Sequence, residues 1–119
     1  MVWDVEVTNE FIGWLNNLPA AEQEVVGEVI ERLETEGPNL QFPISSGING
    51  SRHSHMRELR IQYRGRPLRV LYAFDPRRTA ILLLGGEKTG DDRWYERNVS
   101  IADDLYDTYL RELKEEGLI

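Results

Sequence analysis

The sequence predicts an α+β fold of order β-α-α-β-β-β-α, with helices packed on one face of an antiparallel sheet, and three observations lead there. A short apolar–polar alternation at the N-terminus gives way to helical spacing between residues 9 and 36. Three apolar runs between residues 56 and 84 are then separated by turn residues, and helical spacing returns after Ser100. A chain of 119 residues, 40% hydrophobic, fits one core, so residues 1–119 are read as one domain.

Val2 to Val7 alternates in the strand period, with Trp3, Val5 and Val7 on one face and Asp4 and Glu6 on the other. Thr8 or Asn9 can cap a short helix carrying Phe11, Ile12, Trp14 and Leu15 and ending near Asn16-Asn17. Pro19 suits a first helical position, and Val25, Val26, Val29, Ile30 and Leu33 recur at helical spacing behind an acidic outer face, so a second helix spans about residues 20–36 until Gly37-Pro38 stops it. Residues 37–55 are rich in Gly, Pro, Ser and Asn and read as one long loop. Met56–Ile61, Leu68–Phe74 and Ala80–Leu84 read as an antiparallel meander joined at Gly65-Arg66-Pro67 and Asp75-Pro76-Arg77-Arg78, with Gly85-Gly86 ending the last strand. Ser100 can cap a final helix that carries Ile101, Leu105, Tyr109 and Leu110.

The absence of cysteine excludes disulfides, thiolate metal sites and a cysteine nucleophile. The N-terminus lacks a basic and apolar leader, and no run approaches the roughly 20 apolar residues of a membrane span, so a cytoplasmic protein with no membrane partner is expected. The formal net charge is −7, which by itself argues against a nucleic-acid binder. The charge is segregated, however: residues 52–97 hold 11 Lys and Arg against 6 Asp and Glu, and everything else holds 3 against 15.

Five of those cations, Arg57, Arg60, Arg64, Arg66 and Arg69, fall within thirteen positions. Arg60 faces out if Leu59 and Ile61 are in the core, whereas the alternation around Arg69 leaves both faces open. Arginine stays charged and forks onto phosphate oxygens; the same row on a sheet could equally balance the acidic helices. His53 and His55 have side chains suited to proton transfer near neutrality, but two histidines without a third ligand make a poor metal site, and no metal or other cofactor is expected.

Met-Arg-Glu-Leu-Arg-Ile at 56–61, Leu-Arg-Val-Leu-Tyr-Ala-Phe at 68–74 and Ala-Ile-Leu-Leu-Leu-Gly-Gly-Glu-Lys-Thr at 80–89 resemble the motif series of the RelE/ParE superfamily, most closely the HigB-like, phage Gp49-like branch of type II toxin–antitoxin toxins. The resemblance implies an mRNA endoribonuclease, usually acting on the ribosome and independent of metal, that inhibits translation and is neutralised by a cognate antitoxin, commonly a helix-turn-helix DNA-binding protein. It assigns Arg69, Lys88 and Tyr95 to catalysis. Arg57, Arg60, Arg64, Arg66, Arg93, Trp94, His53 and His55 are the accompanying candidates for contact with RNA. The acidic pairs Asp91-Asp92 and Asp103-Asp104 are read as surface or as contacts for antitoxin arginines. One departure stands out: where the family commonly has Phe-x-Lys-Lys, this chain has Gly86-Glu87-Lys88-Thr89, with a carboxylate in place of one cation. Two other functions fit the same fold, a non-enzymatic module that binds an antitoxin-like partner and a ParE-like gyrase inhibitor.

Overall fold

The computed structural model describes residues 2–119. Its elements are β1 (Val5–Val7), α1 (Asn9–Asn16), α2 (Ala20–Glu36), β2 (Ser45–Gly47), β3 (Arg57–Tyr63), β4 (Arg66–Phe74), β5 (Ala80–Glu87) and α3 (Trp94–Glu115), with a single 3₁₀ turn at Gly37–Asn39. The α+β class and the order of the predicted elements are those observed. The five strands form one sheet in the order β1-β5-β4-β3-β2. Among the described residues no helix is long and apolar enough to cross a membrane.

Three features depart from the reading of the sequence. The first is a fifth strand within the predicted loop: Ser45, Ser46 and Gly47 pair with Leu59, Glu58 and Arg57. It has no apolar alternation because main-chain bonds and one buried hydroxyl hold it. The Ser45 Oγ lies 2.6 Å from the Tyr72 hydroxyl and accepts from Arg57 Nε at 3.0 Å. The second is that the sheet is mixed, since β1 runs parallel to β5 with Val5, Glu6 and Val7 opposite Ala80, Ile81 and Leu82.

The third is that helices cover both faces. Phe11 of α1 and Val26 and Leu33 of α2 bury Leu59, Ile61, Leu68, Val70, Tyr72 and Leu82 on one side. On the other side Val99, Ala102 and Tyr106 of α3 bury Met56, Leu71, Ala73, Ile81 and Leu83. Two-sided cover explains why β4 and β5 read as nearly continuous apolar runs, since a half-buried strand would alternate cleanly.

Thr8 links two elements: its Oγ1 accepts from the Phe11 amide at 3.0 Å, capping α1, and donates to the Leu83 carbonyl at 2.7 Å. Tyr63 and Arg66 pair across a two-residue turn in which Arg64 and Gly65 have φ of 48° and 78°, the positive values a type I′ hairpin needs. α3 starts six residues before the predicted cap at Ser100. The turn ahead of it is built by Asp91, whose Oδ1 accepts from the Arg93 amide at 3.1 Å, whose carbonyl accepts from the Trp94 amide at 3.3 Å, and whose carboxylate pairs with Arg97.

Gly85 and Gly86 do not end the last strand; they lie inside β5 and make room for two indoles on opposite faces. The Trp14 ring occupies the space a Cβ on Gly85 would fill, and on the other side a Cβ on Gly86 would come within 2.8 Å of Trp94 Nε1. Gly85→Ala is therefore expected to destabilise the protein by about 3 kcal/mol through overpacking. Gly13→Ala, in the interior of α1 with open space around the new methyl, is expected to stabilise it by about 0.5–1 kcal/mol. Urea unfolding of the two variants checks both signs.

The β4–β5 turn is organised by buried Asp75. Its Oδ1 accepts from the amides of Arg77 at 2.7 Å and Thr79 at 3.1 Å, and its Oδ2 accepts from Arg77 Nη2 at 2.9 Å and the Tyr109 hydroxyl at 2.8 Å. Burial pushes the Asp75 carboxyl up, but these donors outweigh it and hold the group below the usual carboxylate range. A depressed folded-state pKa contributes stability that is complete above the unfolded value near 4 and is lost as pH falls through the folded value. Thermal melts from pH 7 to pH 3 are expected to show that loss, and Asp75→Asn to give a lower melting temperature at pH 7 with a shallower acid slope.

Candidate active site

On the face that α3 covers, apolar side chains give way to polar ones at the N-terminal end of that helix. Strand alternation places Glu58 and Arg60 of β3, with Met56 just before it, on this face, and Arg60 lies directly opposite Arg69 of β4. Arg69 is in turn the partner of Gly86, the residue on which Trp94 sits. Lys88 follows β5, its amide donating to the Pro67 carbonyl at 3.0 Å.

The centre of this group is Glu58, only 3% exposed. The Tyr95 hydroxyl donates to Glu58 Oε1 at 2.6 Å. Arg69 Nε lies 3.5 Å from the same oxygen, while Arg60 Nη1 at 3.4 Å and Ser46 Oγ at 3.3 Å reach Oε2. Lys88 Nζ stands 4.9 Å from the centroid of the Tyr95 ring, within cation–π range. Burial first, and the Glu58 carboxylate second, push the Tyr95 phenol above its usual value, with Arg69 opposing, so Tyr95 is a neutral proton donor at pH 7. Arg69 is 5% exposed; its Nη1 donates to the Leu68 carbonyl at 3.0 Å, and among the described residues its Nε makes no hydrogen bond. Glu58 thus compensates the buried Arg69 guanidinium by charge, with the Nε just beyond hydrogen-bond reach of its carboxylate.

The other cations are dispersed. Arg57 lies on the α2 side of the sheet, bonded to Ser45 Oγ at 3.0 Å. Arg66 also points to that side, pairing with buried Glu22 of α2 and with Glu87. Glu87 is thus turned away from Lys88, so the carboxylate that replaces a family cation adds no negative charge beside Tyr95. Arg64 is at the hairpin tip, its guanidinium 5.5 Å from the Tyr63 ring. Arg93 precedes α3 and is exposed, and Trp94 is 4% exposed beneath Tyr95, with their ring centroids 5.2 Å apart. His53 is held by Asp107 at 2.7 Å and His55 by the Tyr106 hydroxyl at 3.0 Å, so both histidines are engaged with the middle of α3 and not with Glu58. Burial and then His53 lower the His55 pKa. Asp103 is buried, not surface: its two oxygens accept from Ser51 Oγ at 2.5 Å and the Arg52 amide at 2.9 Å, fastening the long loop to α3.

The sequence reading named Arg60, Arg69, Lys88 and Tyr95, which the fold brings together, and missed Glu58, the carboxylate that Arg60, Arg69 and Tyr95 share. Its signal was present in Glu-Leu-Arg: a carboxylate two residues from Arg60 on one strand must share its face. Beside the cluster, where the chain leaves β3 beyond the Arg60–Ile44 bond of 2.7 Å, a notch of about 390 Å³ opens, lined by Val29, Pro43, Ile44, Arg60, Ile61, Gln62 and Arg69.

A small sheet flanked by two helices on one side and one on the other, with a cationic cluster beside the last helix, is the RelE fold. The free mutant RelE toxin of E. coli superposes with a TM-score of 0.59 at 13% identity, covering 85% of this chain and 99% of that one. The toxin–antitoxin complex RelBE2 of Mycobacterium tuberculosis gives 0.55 at 19% identity, covering 73% and 99%. Residues 13–107 match the family described as phage-derived protein Gp49-like, and the chain belongs to that family. Among curated relatives in M. tuberculosis strain H37Rv, the protein named "Putative toxin HigB2" is 39% identical over 115 residues, covering 95% of this chain and 57% of the relative. "Putative toxin HigB3" is 48% identical over 82 residues, covering 68% and 70%. The chain therefore spans little more than half the length of HigB2.

Removing Glu58 strands the buried Arg69 guanidinium without its carboxylate. Glu58→Ala is expected to cost about 3 kcal/mol in chemical denaturation, the usual penalty for an uncompensated buried charge. Tyr95→Phe, which leaves the ion pair intact, is expected to cost no more than about 1 kcal/mol.

Proposed function

We propose that the protein is the toxin of a type II toxin–antitoxin pair: a metal-independent endoribonuclease that cuts mRNA, arrests translation and is neutralised by a cognate antitoxin of the helix-turn-helix kind. The observation that carries this reading is the convergence of Arg60, Arg69 and the Tyr95 hydroxyl on the one carboxylate of Glu58, with Lys88 lying over the Tyr95 ring. Family membership and the names of the relatives support it.

RNA is cut when its own 2′-oxygen attacks the adjacent phosphorus, and each requirement of that step has a candidate here. The guanidinium groups of Arg69 and Arg60 neutralise the charge that builds on the phosphorane oxygens. Tyr95 takes the 2′-hydroxyl proton as it passes its own to Glu58, the pair acting as a two-step relay. Lys88, whose Nζ lies over the Tyr95 ring, protonates the departing 5′-oxygen. The bond to the 5′-oxygen breaks as the bond to the 2′-oxygen forms, leaving a 2′,3′-cyclic phosphate and a 5′-hydroxyl. Every proton in this scheme is moved by a side chain, which is why the reading is metal-independent.

Induced wild-type protein is expected to stop growth and to create new mRNA 5′ ends in primer extension, and Arg69→Ala combined with Lys88→Ala to do neither while remaining folded by circular dichroism. Equal arrest by the double variant would remove those residues from the chemistry. Arrest with intact message and DNA damage would instead indicate a gyrase inhibitor.

A further inference from the structure

The notch at the edge of β3 lies outside the chemistry just described, although two of its walls, Arg60 and Arg69, belong to the cluster. Its remaining walls are of a different kind. Val29, Pro43, Ile44 and Ile61 are apolar, and Gln62 supplies a carboxamide that both donates and accepts. Phe42, the chain neighbour of the lining residue Pro43, is 71% exposed, and the guanidinium of the lining residue Arg60 lies 5.6 Å from its ring centroid. An exposed phenyl ring, apolar walls, one amide and two guanidinium groups form a combination that neither a purely anionic nor a purely apolar ligand would satisfy.

We infer that this notch is a nucleobase subsite: one unpaired base of single-stranded RNA stacks on Phe42, its edge meets Gln62, and the phosphate attached to it lies on Arg60 and Arg69. The inference rests on the proposed ribonuclease reading and extends it by assigning Phe42 and Gln62 a part in choosing what is bound. The occupant is argued from complementarity. Single-stranded RNA carries an aromatic face and a phosphate within one nucleotide, and proteins that bind it pair aromatic platforms with cations in this way. The notch volume of about 390 Å³ falls at the small end of ligand pockets, and a single nucleotide is a ligand of that class. The notch also exists only because β2 stops pairing at Leu59: the outer edge of β3 beyond Arg60 is not covered by another strand, so an extended chain has room to lie there.

The test is binding of uncleavable 2′-O-methyl hexanucleotides, compared with an abasic oligomer of the same length, measured by fluorescence anisotropy on the whole protein. Phe42→Ala is expected to weaken binding of the base-bearing oligomers about tenfold and to leave the abasic oligomer unchanged, while Phe42→Trp keeps or improves affinity. Gln62→Ala is expected to change the ranking among the four homopolymeric hexamers. Arg60→Ala, checked for folding by circular dichroism, is expected to weaken both kinds of oligomer. Equal losses on base-bearing and abasic oligomers for Phe42→Ala, or no loss, would overturn the subsite, and in the second case the exposed ring would be assigned to a protein partner. Failure of the wild-type protein to bind any hexamer also overturns it. Primer extension on induced cells then shows separately whether the ribonuclease reading stands.

Discussion

Everything about the cationic cluster depends on two adjacent residues with no side chains. Gly85 and Gly86 occupy opposite faces of β5, and each is the seat of an indole, Trp14 of α1 on one side and Trp94 of α3 on the other. Glycine inside a strand weakens it locally, but here it admits two of the largest apolar side chains against the sheet backbone, and their burial outweighs that loss. The consequence for the site is positional. With Trp94 fixed on Gly86, the next residue, Tyr95, can reach Glu58, and Lys88, two residues past the seat, can lie over the Tyr95 ring.

Electrostatics then separates the arginines into three roles, a separation that their spacing along the chain conceals. Arg57 and Arg66 serve the α2 side of the sheet, where Arg66 neutralises the buried Glu22. Arg64 is a turn residue. Only Arg60 and Arg69 share a face with Glu58, and Arg69 can be buried there because a carboxylate accompanies it. The acidic surplus is likewise not a uniform solvated shell. Arg52 reaches Asp104 at 2.9 Å and Asp107 at 2.6 Å, and with buried Asp103 these residues hold residues 51–53 on α3. That anchoring keeps the second half of the long loop against the helix while the first half runs along β3.

The helix over residues 20–36 and the three-strand meander were legible because their apolar residues recur at one period over many positions. β2 was not, since a three-residue strand held by backbone bonds and a serine hydroxyl leaves no hydrophobic pattern. The true start of α3 was hidden because Trp94 and Tyr95 are separated from the later apolar residues by Glu96, Arg97 and Asn98, and the turn chemistry lies in Asp91. Two-sided burial was hinted at by Ala80–Leu84, whose unbroken apolar run required cover on both faces, but the prediction placed every helix on one. In the candidate site the members Arg60, Arg69, Lys88 and Tyr95 came from motif resemblance. That Glu58 shares a face with Arg60 was legible in Glu-Leu-Arg, but that Tyr95 meets it there follows only from the helix that covers β3.

The parallel pairing of β1 with β5 has a bearing on how the protein comes into being. Val5 must wait for Ala80, and Glu58 must wait for Tyr95, before either has its partner. A chain emerging from the ribosome in order would therefore carry an unpaired first strand, an uncovered α1 and a half-assembled cluster until residue 95 is free. Contacts of such long sequence separation also form slowly. The same topology that shapes the site delays its completion to the last stage of synthesis.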